Sequence, residues 1–254
     1  MSIRSYKVKV ITLLEAEKSL EEMGIKEKEI ANKIKPIKYE IICINGSKCI
    51  RCNLCYKACP VNAIEMAKIR KPASIIKEKC VKCEICVQTC PVNAIYAIEG
   101  IARVEDNHVK YKVYQLNIPH RKIRLKNYSL DKDKCIKCGL CAKYCPTNAI
   151  KVEIRKSIDV DLSLCMGCSA CQEVCPKKAI KVENEIGEVI KTKEIEFNKD
   201  LCVGCFVCLE NCPVNAIEQD LDKIKINKNK CIYCGKCEEV CPMDAIKLFR
   251  IHSQ

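Results

Sequence analysis

Of the 25 cysteines in this 254-residue chain, 24 fall into six intact copies of C-x2-C-x2-C-x3-C-P, beginning at Cys49, Cys80, Cys135, Cys165, Cys202 and Cys231. Thiolates are soft ligands, suited to iron–sulfur cores rather than to hard cations. Runs of this spacing hold [4Fe–4S] clusters, with the fourth cysteine serving the neighbouring cluster. One such run could arise by chance; six could not. Zinc is the competing metal, but structural zinc sites set two separated C-x2-4-C knuckles against each other, and here four cysteines share one run that ends in proline. The chemistry open to these residues is one-electron transfer.

Other chemistries find little support. The sequence holds no G-x-G-x-x-G, P-loop or H-E-x-x-H motif, and no nucleophile stands in an evident pairing with a base. The expectation is an electron carrier and not an enzyme. The first residues lack a charged–apolar–small leader layout, and no apolar run approaches ~18 residues. The expected setting is therefore cytoplasmic, without direct membrane insertion, where thiols are kept for metal rather than for disulfides. The formal charge of +13 would suggest nucleic acid, but it counts every cysteine as neutral. A cluster held by four thiolates carries about −2, so six of them bring the oxidised protein close to neutrality. The lysine excess reads as counter-charge, and no nucleic-acid partner is expected.

The elements that position these ligands follow from their spacing. First cysteines lie 31, 30 and 29 residues apart within successive pairs of runs, whereas the gaps between pairs are 45 residues (Cys90 to Cys135) and 27 (Cys175 to Cys202). Constant spacing inside a pair marks a folding unit, and variable spacing between pairs marks a connection. Each unit is too short to bury a large core, so metal binding and folding should be coupled. The third and fourth cysteines, at i and i+4, would share one face of a short helix that the proline stops. A following Ala-Ile tail, as in Pro60-Val61-Asn62-Ala63-Ile64, would begin a short strand. Alternation in Val152-Glu153-Ile154 and Ile224-Lys225-Ile226 marks further strands. An apolar residue after each first cysteine (Ile50, Val81, Ile136, Met166, Val203, Ile232) is expected to wrap the cluster against water.

Some residues near the runs are read as structural. Gly139, Gly167, Gly204 and Gly235 suit positive φ in the cysteine loops. Tyr56, Tyr96, Tyr144, Phe206 and Tyr233 would shield clusters rather than relay electrons. Cys43, in an apolar stretch, reads as a small buried hydrophobe. His108, His120 and His252 show no ligand spacing.

Two segments stand outside the repeat. Residues 1–45 predict a strand (Tyr6 to Ile11), an amphipathic helix through Leu13, Leu14, Leu20 and Met23 that stops near Gly24, and a second helix from Glu27 to Ile34. Residues 101–130 alternate at Val109, Tyr111 and Val113 and carry the basic group Arg121, Lys122, Arg124, Lys126. These segments either dock a partner or cap sheet edges, and capping is the simpler reading.

From Cys49 onward the chain resembles a polyferredoxin, a tandem array of bacterial-type two-cluster ferredoxins. The likeness rests on CIRCNLCYKACP, CVKCEICVQTCP, CIKCGLCAKYCP, CMGCSACQEVCP, CVGCFVCLENCP and CIYCGKCEEVCP. The resemblance implies crossed ligation of six [4Fe–4S] clusters. Cys49, Cys52, Cys55 and Cys90 would hold one and Cys80, Cys83, Cys86 and Cys59 the next. Cys135, Cys138, Cys141 and Cys175, then Cys165, Cys168, Cys171 and Cys145, would follow. Cys202, Cys205, Cys208 and Cys241, then Cys231, Cys234, Cys237 and Cys212, complete the set. The fold class expected is α+β: three tandem two-cluster modules of short helices and small antiparallel strands, with a small N-terminal extension. Its divisions are 1–45 (strand–helix extension), 46–100 (first module), 101–130 (connecting insert), 131–184 (second module) and 185–254 (third module). Polyferredoxins of this kind accompany methanogen hydrogenases or formylmethanofuran dehydrogenase, so the resemblance implies such anaerobic redox partners, at most peripheral to a membrane complex. The alternatives are an oxidoreductase subunit with its own reductase activity and a redox-sensing regulator.

Overall fold

The computed structural model describes residues 37–105 and 108–251. The elements expected over residues 6–34 lie outside the described residues, as does His252. The first two runs are carried by β1 (Ile37–Ile44), α1 (Leu54–Ala58), β2 (Ile64–Glu65), β3 (Ser74–Ile75), α2 (Ile85–Thr89) and β4 (Ile95–Glu105), after which β5 (His108–Gln115) folds back on β4. The next two are carried by β6 (Ile123–Leu130), α3 (Leu140–Lys143), β7 (Ile150–Glu153), β8 (Ser157–Val160), α4 (Ala170–Glu173) and β9 (Ile180–Ile186). The last two use β10 (Lys193–Phe197), α5 (Val207–Glu210), β11 (Ile217–Asp220), β12 (Lys223–Ile226), α6 (Lys236–Glu239) and β13 (Ile246–Arg250).

One pairing rule organises all of this. The strand behind the first run of a pair is antiparallel to the strand ahead of the second, as in β2–β3, β7–β8 and β11–β12. The strand ahead of the first run joins the strand behind the second, as in β6–β9 and β10–β13, and as in the β1-β4-β5 sheet. The helices pack in the same pairs, α1 on α2, α3 on α4 and α5 on α6. Strand pairing therefore crosses two of the expected divisions: β1 lies within 1–45 and β6 within 101–130, yet both join strands that follow cysteine runs. Cysteine spacing carries no information about such distant partners, and neither strand was read from the sequence.

The helices have four or five residues, too few to hold themselves together in water. Each begins behind a left-handed residue that follows the second cysteine: Asn53, Glu84, Gly139, Ser169, Phe206 and Gly235, with φ from 57° to 79°. Only two of these six are glycine, although a side chain disfavours this conformation by roughly 1–2 kcal/mol. The remaining loops therefore accept strain, which persists only where surrounding structure imposes it. The helices also end sooner than the proline requires. The fourth cysteine of the first two runs is the C-cap, extended at φ −74°, ψ 113° (Cys59) and φ −77°, ψ 111° (Cys90). A residue ahead of proline is pushed out of the helical region, so these cysteines lie just past the helix and not on its face.

Three small cores, one per pair of runs, are built chiefly from cysteine and isoleucine, with alanine joining them in the first. The chain divides into two compact bodies, one holding Ile41–Ala97 with Leu116 onward and the other holding Ile98–Gln115. All six runs belong to the first. Among the described residues no helix is long and apolar enough to cross a membrane.

Candidate metal centres

The Ala-Ile tails do more than pack. In five runs the alanine amide donates to the fourth cysteine Sγ of its own run at 3.2–3.3 Å (Ala63, Ala94, Ala179, Ala216 and Ala245). Every tail alanine is buried. Its carbonyl accepts, at 2.7–2.8 Å, the amide of the residue four places ahead of the partner run. The pairs are Asn45–Ala94 and Ile76–Ala63, Asp131–Ala179 and Asp161–Ala149, and Asn198–Ala245 and Asn227–Ala216. Each pair of runs is thus stitched reciprocally, the tail of one beside the start of the other. Five of these six lead residues are Asn or Asp, and each accepts the amide two residues on, as Asp161 does from Ser163 at 2.9 Å. This Asx turn went unread in the sequence, although an Asn or Asp four residues ahead of the first cysteine is visible there.

The stitching gathers the cysteines in crossed sets. One cavity is lined by Cys49, Cys52, Cys55 and Cys90, and another by Cys80, Cys83, Cys86 and Cys59. A third is lined by Cys165, Cys168, Cys171 and Cys145, and a fourth by Cys231, Cys234, Cys237 and Cys212. Each is a narrow cavity with almost wholly apolar walls. At the third run Cys135 and Cys138 bear on Cys141, and at the fifth Cys205 and Cys241 bear on Cys208. Cys175, bound to Ala179 beside Asp131, comes up to the start of the third run. Among the described residues no three His, Cys, Asp or Glu side chains close around a single ion. Four thiols around a void suit a multi-atom core better than one metal.

Burial dominates the electrostatics of these thiols. Burial, then neighbouring thiols, pushes Cys55 and Cys237 up to about 12. Cys171, with the same causes, also reaches about 12. Burial raises Cys83 and Cys168 to about 11, and raises Cys52 and Cys86 well above the ordinary thiol range. The protein alone thus disfavours thiolates here, whereas coordinated metal deprotonates a thiol outright. Tyr128 adds an observation the sequence did not offer. It lines the Cys165 cavity, and its buried hydroxyl has no hydrogen-bond partner in the protein. An orphaned donor costs about 1–3 kcal/mol, which an acceptor held in that cavity would relieve. The matching positions on β1 and β10, three residues ahead of Asn45 and Asn198, are Ile42 and Ile195.

The sites succeed one another in an order the sequence does not have. Cys52 and Leu54 pack with Cys168 and Ala170 in one core, flanked by Ile50 and Met166, which joins the first run to the fourth. Asn53 and Lys57 reach Glu173 at 3.1 and 2.6 Å across the same junction. The second run meets the sixth through charge. Fully buried Glu84 accepts from Lys193 Nζ at 2.9 Å, Arg250 Nη2 at 2.6 Å and Thr192 Oγ1 at 2.9 Å. Lys193 Nζ also donates to the Lys82 carbonyl at 3.3 Å, and Lys193 lies near enough to Cys234 to act on its thiol. Taken with the pairings, the run order in space is third, fourth, first, second, sixth, fifth.

Other expectations resolve individually. The residues after the first cysteines line the cavities at Ile50, Val81, Met166 and Ile232. Ile136 and Val203 are 52% and 62% exposed, and among the described residues no other run packs over that face. Gly139, Gly167, Gly204 and Gly235 all have positive φ. A Cβ at Gly204 would collide with the Asp222 carbonyl. Phe206 and Tyr233 pack against the third core, whereas Tyr144 donates to the Ile69 carbonyl at 2.6 Å and stacks under Arg51. Arg121 of the basic group is committed internally, to Gly187 O at 2.6 Å and Thr89 Oγ1 at 3.1 Å. Cys43 is half-buried on β1 and His120 is exposed.

With this geometry in hand, comparison with known proteins is decisive. Models described as 4Fe-4S dicluster domains match residues 42–97 and 129–182, residues 79–150, and residues 164–216 and 201–245. A polyferredoxin-like protein of Methanocaldococcus jannaschii is 66% identical over 223 residues, 85% of this chain and 89% of that protein. This chain belongs to the polyferredoxins. As a polyferredoxin it carries multiple [4Fe–4S] clusters, each able to accept and return a single electron. A solved chain from the formate dehydrogenase–heterodisulfide reductase–formylmethanofuran dehydrogenase complex of Methanospirillum hungatei is 23% identical. It matches over 85% of the polyferredoxin and 81% of its own length, with a TM-score of 0.25.

Proposed function

We propose that the six cysteine runs hold six [4Fe–4S] clusters in the crossed sets named above, in three two-run modules, and that the protein conducts electrons between redox partners. The observation that carries this reading is the succession of cysteine sites through the loops around the second cysteines, Cys52 to Cys168 and Cys83 to Cys234. Run follows run with cysteine loops meeting at each junction, so the sites form a line and not a scatter. Asn53, Glu173, Glu84 and Lys193 hold the junctions, the tail alanines orient the fourth cysteines, and the apolar walls exclude water. Four cysteines per site leave a cubane no open coordination position, so the protein's part is transfer and not substrate chemistry.

The partners are proposed to be the cytoplasmic redox subunits of a methanogen hydrogenase or formylmethanofuran dehydrogenase, in keeping with the polyferredoxin resemblance and the Methanocaldococcus relative. Anaerobically prepared protein should hold about 24 irons and show reversible one-electron signals accounting for all of them. Far fewer irons in folded protein would overturn the cluster assignment. Purification from the native source without any redox enzyme would overturn the partner assignment alone.

A further inference from the structure

The spatial order leaves two ends, and they share a feature. In each internal junction the loop around the second cysteine is what one module presents to the next: Cys52 towards Cys168, and Cys83 with Glu84 towards Lys193 and Cys234. The same loops of the third and fifth runs sit at the ends of the line. Of the 25 cysteines only Cys138 and Cys205 are exposed, and they are the second cysteines of those two runs.

The surroundings of the two differ in charge. Beside Cys138 lie exposed Ile136 and Ile154, the latter 58% exposed with its δ-methyl over Gly139. The Lys137 carbonyl accepts the Arg155 amide at 3.2 Å, which brings Arg155 to the rim of this apolar centre. Beside Cys205 lie Val203 and, across Gly204, the Leu221–Asp222 turn, with Leu221 87% exposed and Asp220 adjacent. The Cys138 end is basic, whereas the Cys205 end carries both signs, Asp220 and Asp222 beside Lys223, whose Nζ donates to the Cys202 carbonyl.

We propose that the loop around Cys138 is the docking face for a second iron–sulfur protein, one that presents a cluster loop with an apolar centre and an acidic rim. It would seat as the internal modules seat on one another, loop to loop around the second cysteine. This rests on the reading above that the runs hold clusters. The exchange is simple in balance: one electron leaves the reduced donor and one enters this protein, with no bond made and no proton required. Electron-transfer encounters need only a small interface. Rim charges act mainly on association rate and its salt dependence.

The test is anaerobic stopped-flow electron transfer from a reduced acidic two-cluster ferredoxin, used as the probe, to the oxidised cluster-loaded protein. The rate constant should fall as salt rises. Lys137→Glu with Arg155→Glu should lower it at least tenfold at low salt and remove the salt dependence, with iron content unchanged and the rates compared at the driving force given by each variant's measured potentials. Arg155→Glu alone, on an exposed turn, should lower it severalfold. Asp220→Lys with Asp222→Lys, at the other end, should not slow it. Rates within twofold of the parent in both Cys138-end variants would overturn the proposal. So would slowing by the Asp220 and Asp222 changes alone, or head-to-tail self-association that Lys137→Glu abolishes. A parent protein short of iron would instead count against the cluster reading, and the two failures are thereby distinct.

Discussion

Glu84→Gln should loosen the junction between the second and sixth runs without touching a cysteine. Glu84 is fully buried, and its carboxylate faces Lys193, 8% exposed, and Arg250, 27% exposed. Removing one member of a buried pair typically costs about 3–5 kcal/mol, since the remaining charge is left uncompensated. The amide can still accept from Thr192 and Lys193, and water can reach Arg250, so the expected loss is at the lower end, about 3 kcal/mol. At 1.4 kcal/mol per decade that is about a hundredfold more frequent opening. The readout is amide hydrogen exchange at Ile190, whose N–H donates to Gln88 Oε1 at 2.8 Å across this junction. The internal reference is the Val182 amide, bound to Gln172 Oε1 at 2.7 Å within the second pair of runs. Exchange at Ile190 should quicken about a hundredfold and exchange at Val182 should stay put. Glu84→Met with Lys193→Met removes the two most buried charges, leaves the partly exposed Arg250 to water and should recover part of the loss, because apolar replacement of a buried pair is often neutral. If Ile190 in Glu84→Gln exchanged within threefold of the parent, the junction would not depend on this charge cluster.

Three further outcomes follow from the same structure. Cys59→Ala should cost about four irons and open Cys80, Cys83 and Cys86 to alkylation, while Cys49, Cys52, Cys55 and Cys90 stay protected; mass spectrometry reading the reverse would refute crossed ligation. Tyr128→Phe should lower the potential of one site, since hydrogen bonds to a cluster set its potential, by up to about 59 mV, a tenfold change for a one-electron couple. A redox titration followed by electron paramagnetic resonance would show it, and superimposable titrations would mean that the hydroxyl donates to nothing. Stripping iron with a chelator under reducing conditions should melt the short helices and abolish exchange protection at Ala63 and Ala94, because these cores are small and folding is coupled to metal; retained protection would show that the apoprotein folds alone.

Much of the site was legible in the residues themselves. The cysteine spacing, the tail alanines and the glycines of the loops are local signals, and the structure uses them locally: the tail amides meet the fourth cysteines, and the loop glycines take positive φ. Where the reading went astray, a distant partner decided. Ile136 and Val203 look like Ile50 and Met166 in sequence, but only the latter pair has another run packed over it. Arg121 looks like surface charge until Thr89 and Gly187 are brought to it. The Asx turns at Asn45, Asp131, Asp161, Asn198 and Asn227 were available in the sequence and simply unread.

The sequence by itself determined which atoms can ligate and how they group in pairs, because an i, i+3, i+6, i+10 run needs only a few residues of backbone to converge. Tertiary structure alone decided that the first pair lies between the second and the third, that Cys138 and Cys205 are the exposed thiols, and that Tyr128 faces a cavity where Ile42 and Ile195 stand elsewhere. Those outcomes depend on which surfaces meet. Burial between elements far apart in the chain is set by the packing of the whole, and the order of residues leaves it unstated.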